Sequence, residues 1–142
     1  MFRRLVLWTL PALAAQFLLG MAVNLFAAIP PEHPGTRAGF FAGVPQVVAW
    51  ALGHGAVTLR LHVALGLALC LEGAVVLVLA VRSRRRGWIW MAAVGLCGLL
   101  GALANGASYL IFGHQFSSFL MAVAFAIAAA AYVTGALVPG GA

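Results

Sequence analysis

Apolar positions fall into four long runs separated by short polar breaks: residues 5–29, 57–81, 88–111 and 116–138. A bilayer core of roughly 30 Å is crossed by about 20 helical residues, and each run reaches that length. Helix is the conformation to expect, because an open strand in lipid leaves its backbone groups unpaired. The expected fold is therefore all-α: a polytopic four-transmembrane-helix bundle in one membrane domain covering residues 1–142. The second and third runs are joined by Arg-Ser-Arg-Arg-Arg at 82–86, the third and fourth by Phe112-Gly113-His114-Gln115.

Residues 30–56 break this rhythm. Pro30, Pro31 and Pro34 stop the first helix and Gly35 permits a turn. Beyond them Val44, Val47, Val48, Ala51 and Leu52 share one helical face in a segment too short to span. This predicts an interfacial or re-entrant helix that starts near Pro45 and ends at Gly53-His54-Gly55, with Trp50 at headgroup level; the alternative is an extension of the second span.

Composition sharpens the picture. Hydrophobic residues make up 65% of the 142 and charged residues 7%, against nearly half and about a quarter in a soluble domain. Soluble globular and disordered classes are excluded. The net charge of +6 comes from Arg alone, with no Lys or Asp and only Glu32 and Glu72 as acids. Six of the Arg flank apolar runs, at 3, 4, 82, 84, 85 and 86. That is the positive-inside signal and not a groove for nucleic acid. It predicts a multi-pass protein of the cytoplasmic membrane with both termini cytoplasmic and residues 30–56 and 112–115 outside. Cleavage of the first run as a signal peptide after Ala27-Ala28 would instead leave three spans.

Counting about 1.5 Å per residue from the Arg-marked face sorts the polar residues by depth. Gln16, Cys70, Glu72 and Cys97 come out roughly 15–18 Å deep. Asn24, His62, Asn105 and Ser108 form a second layer at roughly 28–30 Å. A charged Glu72 at mid-bilayer costs several kcal/mol, so a neutral carboxyl hydrogen-bonded to Gln16 is expected. Its role is either a proton or small-molecule pathway or a polar contact that joins two helices. His62, with Gly66 one turn deeper, has the layout of an axial ligand of haem b, His114 or His54 being the second; the alternative is an interfacial hydrogen-bonder. His33, Glu32, His54 and His114 match no zinc spacing, so no metal site is assigned. Arg60 should snorkel to the headgroups, pairing with Glu32 or an anionic group such as a lipid phosphate or haem propionate.

Cys70 and Cys97 share a depth but lack a CxxC arrangement, which favours packing over redox chemistry. Small residues repeat along three spans, at Gly66-Cys70-Ala74, Gly98-Ala102-Gly106 and Ala124-Ala128-Ala131, and mark close helix contacts, either within the bundle or with a partner subunit. Ser108, Ser117 and Ser118 have no Asp to orient a histidine base, and there is no phosphate-binding glycine loop.

The stretches 24–35, 59–66, 105–113 and 117–122 resemble small four-helix integral membrane proteins of actinobacteria, a likeness that implies the fold and no activity. Leu59-Arg-Leu-His-Val-Ala-Leu-Gly66 is also similar to one half of the haem A synthase bundle. That resemblance implies His62 and His114 as axial positions. The acidic residue one turn before the helix-two histidine is missing here, so haem binding is implied and catalysis is not. The leading expectation is a small integral membrane binding or accessory subunit, in contact with lipid and with partner subunits or further copies of itself. Asn24, Arg60, His62, Asn105 and Ser108 would line its site. A b-type haem or quinone-linked electron carrier, and a pathway through Glu72 and Gln16, are the alternatives.

Overall fold

A computed structural model describes residues 2–137, with side chains from Leu5 onward. The chain forms helices α1 (Phe2–Phe26), α2 (Phe40–His54), α3 (Val57–Ser83), α4 (Arg86–Phe112) and α5 (Gln115–Leu137), with no strand among the described residues. Four of them, α1, α3, α4 and α5, are long and apolar enough to cross a membrane. The protein is an all-α, multi-pass membrane bundle.

The helices run past the apolar runs at their Arg-bearing ends, because Arg is a good helix former and the backbone ladder does not stop where lipid does. α1 begins at Phe2 and ends at Phe26, three residues short of the expected limit. The cause lies ahead of it, where Pro30 and Pro31 push the chain into extended conformations. Residue 138, the expected end of the last span, lies outside the described residues. Between α3 and α4 the chain turns at Arg84, whose φ of 55° is left-handed, and Arg85 lies over the Trp88 ring at 4.9 Å.

Around the bundle the order is α1, α3, α4, α5 and back to α1. Each helix touches its two neighbours, and among the described residues the diagonal pairs α1–α4 and α3–α5 have no close backbone approach. The α4–α5 interface is the tightest. A Cβ placed on Gly98 would lie 2.7 Å from the Ala124 carbonyl oxygen and 2.9 Å from the Ala128 nitrogen. Two of the small-residue stripes therefore meet there, as close backbone packing in lipid requires.

α2 packs on α3 and α4 at the end of the bundle away from the Arg hairpin, with Gly43 against Ile111 and Gly55 against Leu59. Its first turn precedes Pro45: the Gly43 N–H donates to the Gly39 carbonyl at 2.8 Å. Pro45 sits in the second turn, where its missing N–H costs one bond near a helix start. Extended backbone at Gly55 and Ala56 separates α2 from α3, so it is not an extension of that span. The loop before α2 folds back on it. His33 stacks on Trp50 with centroids 4.1 Å apart, and Gly35, at a φ of 102°, leaves no room for a Cβ against Gly43 and Val47.

The outside of this bundle is as apolar as its inside, unlike that of a soluble protein. Trp8, Phe26, Phe41 and Trp90 all lie on the exterior. The interior is apolar as well, with Val6, Leu69, Val76, Leu99 and Tyr132 in its core, and it also encloses the polar Thr9, Gln16 and Ser117. Such a surface is stable only with hydrocarbon around it.

Candidate functional site

One face of α1 carries Thr9, Leu13, Gln16 and Gly20 at alternating steps of three and four, and it packs on α3. Because the two helices are antiparallel, their register is fixed by three contacts. Thr9 meets Glu72: its hydroxyl lies 2.8 Å from Oε1. Gln16 meets Gly66, where a Cβ would stand 3.0 Å from the amide Nε2. Gly20 meets His62, where a Cβ would stand 3.0 Å from the ring Cε1. The result is a polar seam along an otherwise apolar interface. Glycine on one side of each upper contact makes room for the larger polar group on the other.

Glu72 therefore does not pair with Gln16. The two residues share a depth, but Gln16 lies two helical turns along α1 from the residue that faces Glu72. That turn count follows from the register and not from depth.

The upper part of the seam is unsatisfied. Gln16 is 92% buried (8% exposed) and its Oε1 has no hydrogen-bond partner. His62 Nδ1 is buried without one as well, while the ring faces the Gln16 main chain. A third orphan lies deeper. Tyr132 of α5 drives its ring between Gly73 of α3 and Gly95 of α4, where a Cβ would lie 2.8 Å from its atoms at either position. Its hydroxyl is buried with no partner, in the neighbourhood of Glu72 and Cys70. Each unpaired buried polar atom costs about 1–3 kcal/mol, and bilayer hydrocarbon supplies no water to relieve it.

The other expected site residues are scattered. Asn24 is exposed near the end of α1. Asn105 Nδ2 donates to the Gly101 carbonyl of its own helix at 2.8 Å. Ser108 and Ser117 hydroxyls bond to each other at 3.1 Å and tie α4 to α5. Asn24 and Asn105 stand on α1 and α4, a diagonal pair, so the layer at this depth divides between two interfaces. Arg60 Nε donates to the Gly55 carbonyl at 2.7 Å, placing a cation at the C-terminal end of α2 where the helix dipole favours it. Glu32, one of the alternative partners for Arg60, instead pairs with Arg37 at 3.1 Å on the surface.

His62 and His114 are not brought face to face. His62 is turned to α1, whereas His114 is exposed at the α4–α5 turn, its ring 5.8 Å from that of Phe112. Cys70 packs against the core while Cys97 is exposed on α4, and both thiols are free. Among the described residues no group of three or more His, Cys, Asp or Glu side chains is placed to hold a metal. An open depression of about 550 Å³ lies in the cap between Glu32–Ala38 and Gln46, and none of the residues with orphaned atoms lines it.

Comparison with family models, with curated proteins and with solved structures returns no match. The seam has to be interpreted on its own chemistry. Thr9, Gly20 and Tyr132, which complete it, carry no sequence motif. The available signal was periodicity: Thr9 and Gly20 fall on the Gln16 face of α1, and Tyr132 continues the stripe of Ala124 and Ala128 on α5.

Proposed function

We propose that this chain is a small integral membrane binding protein whose ligand sits in the α1–α3 seam between Gln16 and His62. The observation that carries this reading is the pair of buried, unpartnered atoms, Gln16 Oε1 and His62 Nδ1, on adjoining turns of one interface. An amide oxygen accepts only. An imidazole nitrogen donates or accepts according to tautomer. The matching ligand is a small polar molecule, or the polar head of an amphiphile, with at least one N–H or O–H to give. Its binding would offset the desolvation cost of those two unpaired atoms.

The same reading orients the molecule. Four Arg within residues 82–86 lie on the cytoplasmic side, with both termini there, and α2 with its loop caps the bundle on the outer side. His62, near the capped end of α3, then opens the seam toward the outside.

Native mass spectrometry of the full chain from lipid nanodiscs tests the proposal. Wild-type protein should carry a small-molecule adduct that is lost in Gln16→Leu and in His62→Phe. A bare chain mass for all three proteins would overturn the reading. A Soret band in the same preparation would also overturn it, in favour of a haem protein.

A further inference from the structure

We propose that Glu72 and Thr9 form a proton-binding site inside the bundle, separate from the Gln16–His62 pair. The contact is one proton short. The Thr9 residue is fully buried, and its Oγ1 lies 2.8 Å from Glu72 Oε1 and 3.0 Å from the Leu5 carbonyl oxygen. A hydroxyl has one proton to give. A helical threonine habitually returns it to the carbonyl four residues back. When Thr9 does so, its contact with Glu72 is a hydrogen bond only if the carboxyl is the donor. Both short contacts are then satisfied at once, as a chain from Glu72 O–H to Thr9 Oγ1 and from Thr9 O–H to Leu5. When Glu72 loses the proton to water, Thr9 must turn from Leu5 to the carboxylate. One proton and one rotation about the Thr9 side chain separate the two states.

The surroundings point the same way. Facing this region are Leu5 and Thr9 from α1, Leu96 and Leu99 of α4 over Gly73, Tyr132 from α5, and Cys70 on the same helix. Cys70 and Tyr132 are the titratable groups in that set, and neither is a cation at neutral pH. Among the described residues the ion pair formed is Arg37 with Glu32, on the surface. A carboxylate in hydrocarbon with no opposite charge costs several kcal/mol, and a bound proton removes that cost. An alkali cation would need oxygens spread around a gap, whereas the Thr9 and Glu72 oxygens are in direct contact. The Tyr132 hydroxyl, buried without a partner over Gly73, is the remaining O–H on that side that can turn to an ionised carboxylate.

The chain is unusually suited to a direct test, because Glu32 and Glu72 are its only acidic side chains. Infrared spectra of the full chain in lipid nanodiscs at neutral pH should show the carbonyl band of a protonated carboxyl. The band should persist in Glu32→Gln, disappear in Glu72→Gln, and convert to carboxylate bands as pH is raised. Thr9→Val should move it to higher frequency by removing the hydroxyl that accepts from it, and Thr9→Ser should restore it. If Glu72→Gln fails to fold, carbon-13 glutamate in the wild type assigns the band by isotope shift. Carboxylate bands alone at neutral pH, a band indifferent to Thr9→Val, or carboxylate bands that shift with sodium would each overturn the proposal. Because Thr9 and Glu72 lie apart from Gln16 and His62, loss of the adduct and loss of the band are independent results.

Discussion

Gln16→Leu should make the protein more stable. The wild-type side chain is 8% exposed, packs its Nε2 against the bare Gly66 surface, and leaves Oε1 unpaired. Leucine has similar bulk, so the substitution opens little cavity and removes both the orphaned acceptor and the buried amide dipole. Relief of one unsatisfied group is worth about 1–3 kcal/mol. The reference state lowers that figure, since a separated α1 in the membrane also finds partners for its glutamine, and polar contacts between membrane helices average about 0.6 kcal/mol. A net gain of about 1 kcal/mol remains, which for a chain of this length raises the melting temperature by a few degrees. Thermal unfolding in detergent of protein freed of bound small molecules, followed by helical circular dichroism, reads this directly, since a bound ligand would itself stabilise the wild type. If Gln16 is a contact that joins α1 to α3, the sign reverses and the variant melts earlier. A fall in melting temperature would refute the claim that Oε1 is held unpaired for a ligand. Stabilisation with loss of the bound adduct is the combination expected of a binding residue retained at the expense of stability.

Gly98→Ala should destabilise by about 1–3 kcal/mol by overpacking, because its Cβ would meet backbone atoms of α5, whereas Gly87→Ala, with nothing within 4 Å of its Cβ, should melt as the wild type does. Arg60→Ala should loosen the end of α2 by about 1 kcal/mol, seen as faster hydrogen exchange at residues 51–55, with Arg60→Lys recovering part of the protection. In a background with Cys70 and Cys97 replaced by alanine, Ser83→Cys should resist a membrane-impermeant maleimide on intact cells while Thr36→Cys reacts; the opposite labelling would overturn the orientation.

The spans were legible because a bilayer imposes one solvent over a fixed thickness, so a run of apolar residues fixes both the conformation and the approximate length. The details at the ends were not, since helix bounds depend on backbone bonding in the headgroup region and on proline several residues away, as at Phe26 and Pro45. The glycine and alanine repeats of α4 and α5 were readable as faces of close backbone approach, but not which stripe meets which. Which polar residues meet was another matter. Depth along the membrane normal places Gln16 and Glu72 together, and likewise Asn24 and Asn105, but depth is one coordinate of three. Thr9 and Glu72 meet because α1 and α3 are neighbours in a particular rotation, and Asn24 misses Asn105 because their helices are diagonal. Rotation is encoded in the small-residue faces, and α1 offers only Gly20 on its seam.

Three of the interior side chains that sequence depth or burial brings to notice, Gln16, His62 and Tyr132, hold an atom without a partner, while the polar residues with simple structural roles are satisfied. Asn105 bonds its own helix, Thr134 bonds the Ala130 carbonyl, and Ser108 bonds Ser117. Helix glue in lipid works only when both partners are engaged, so the orphaned atoms do not belong to that class. They are also contiguous with the elements that would have to move to admit a ligand. α1 has α3 and α5 as its only neighbours among the described residues, and it is linked to α2 by the glycine- and proline-bearing loop 27–39. A seam between α1 and α3 can therefore open by displacement of one helix without breaking the α4–α5 interface.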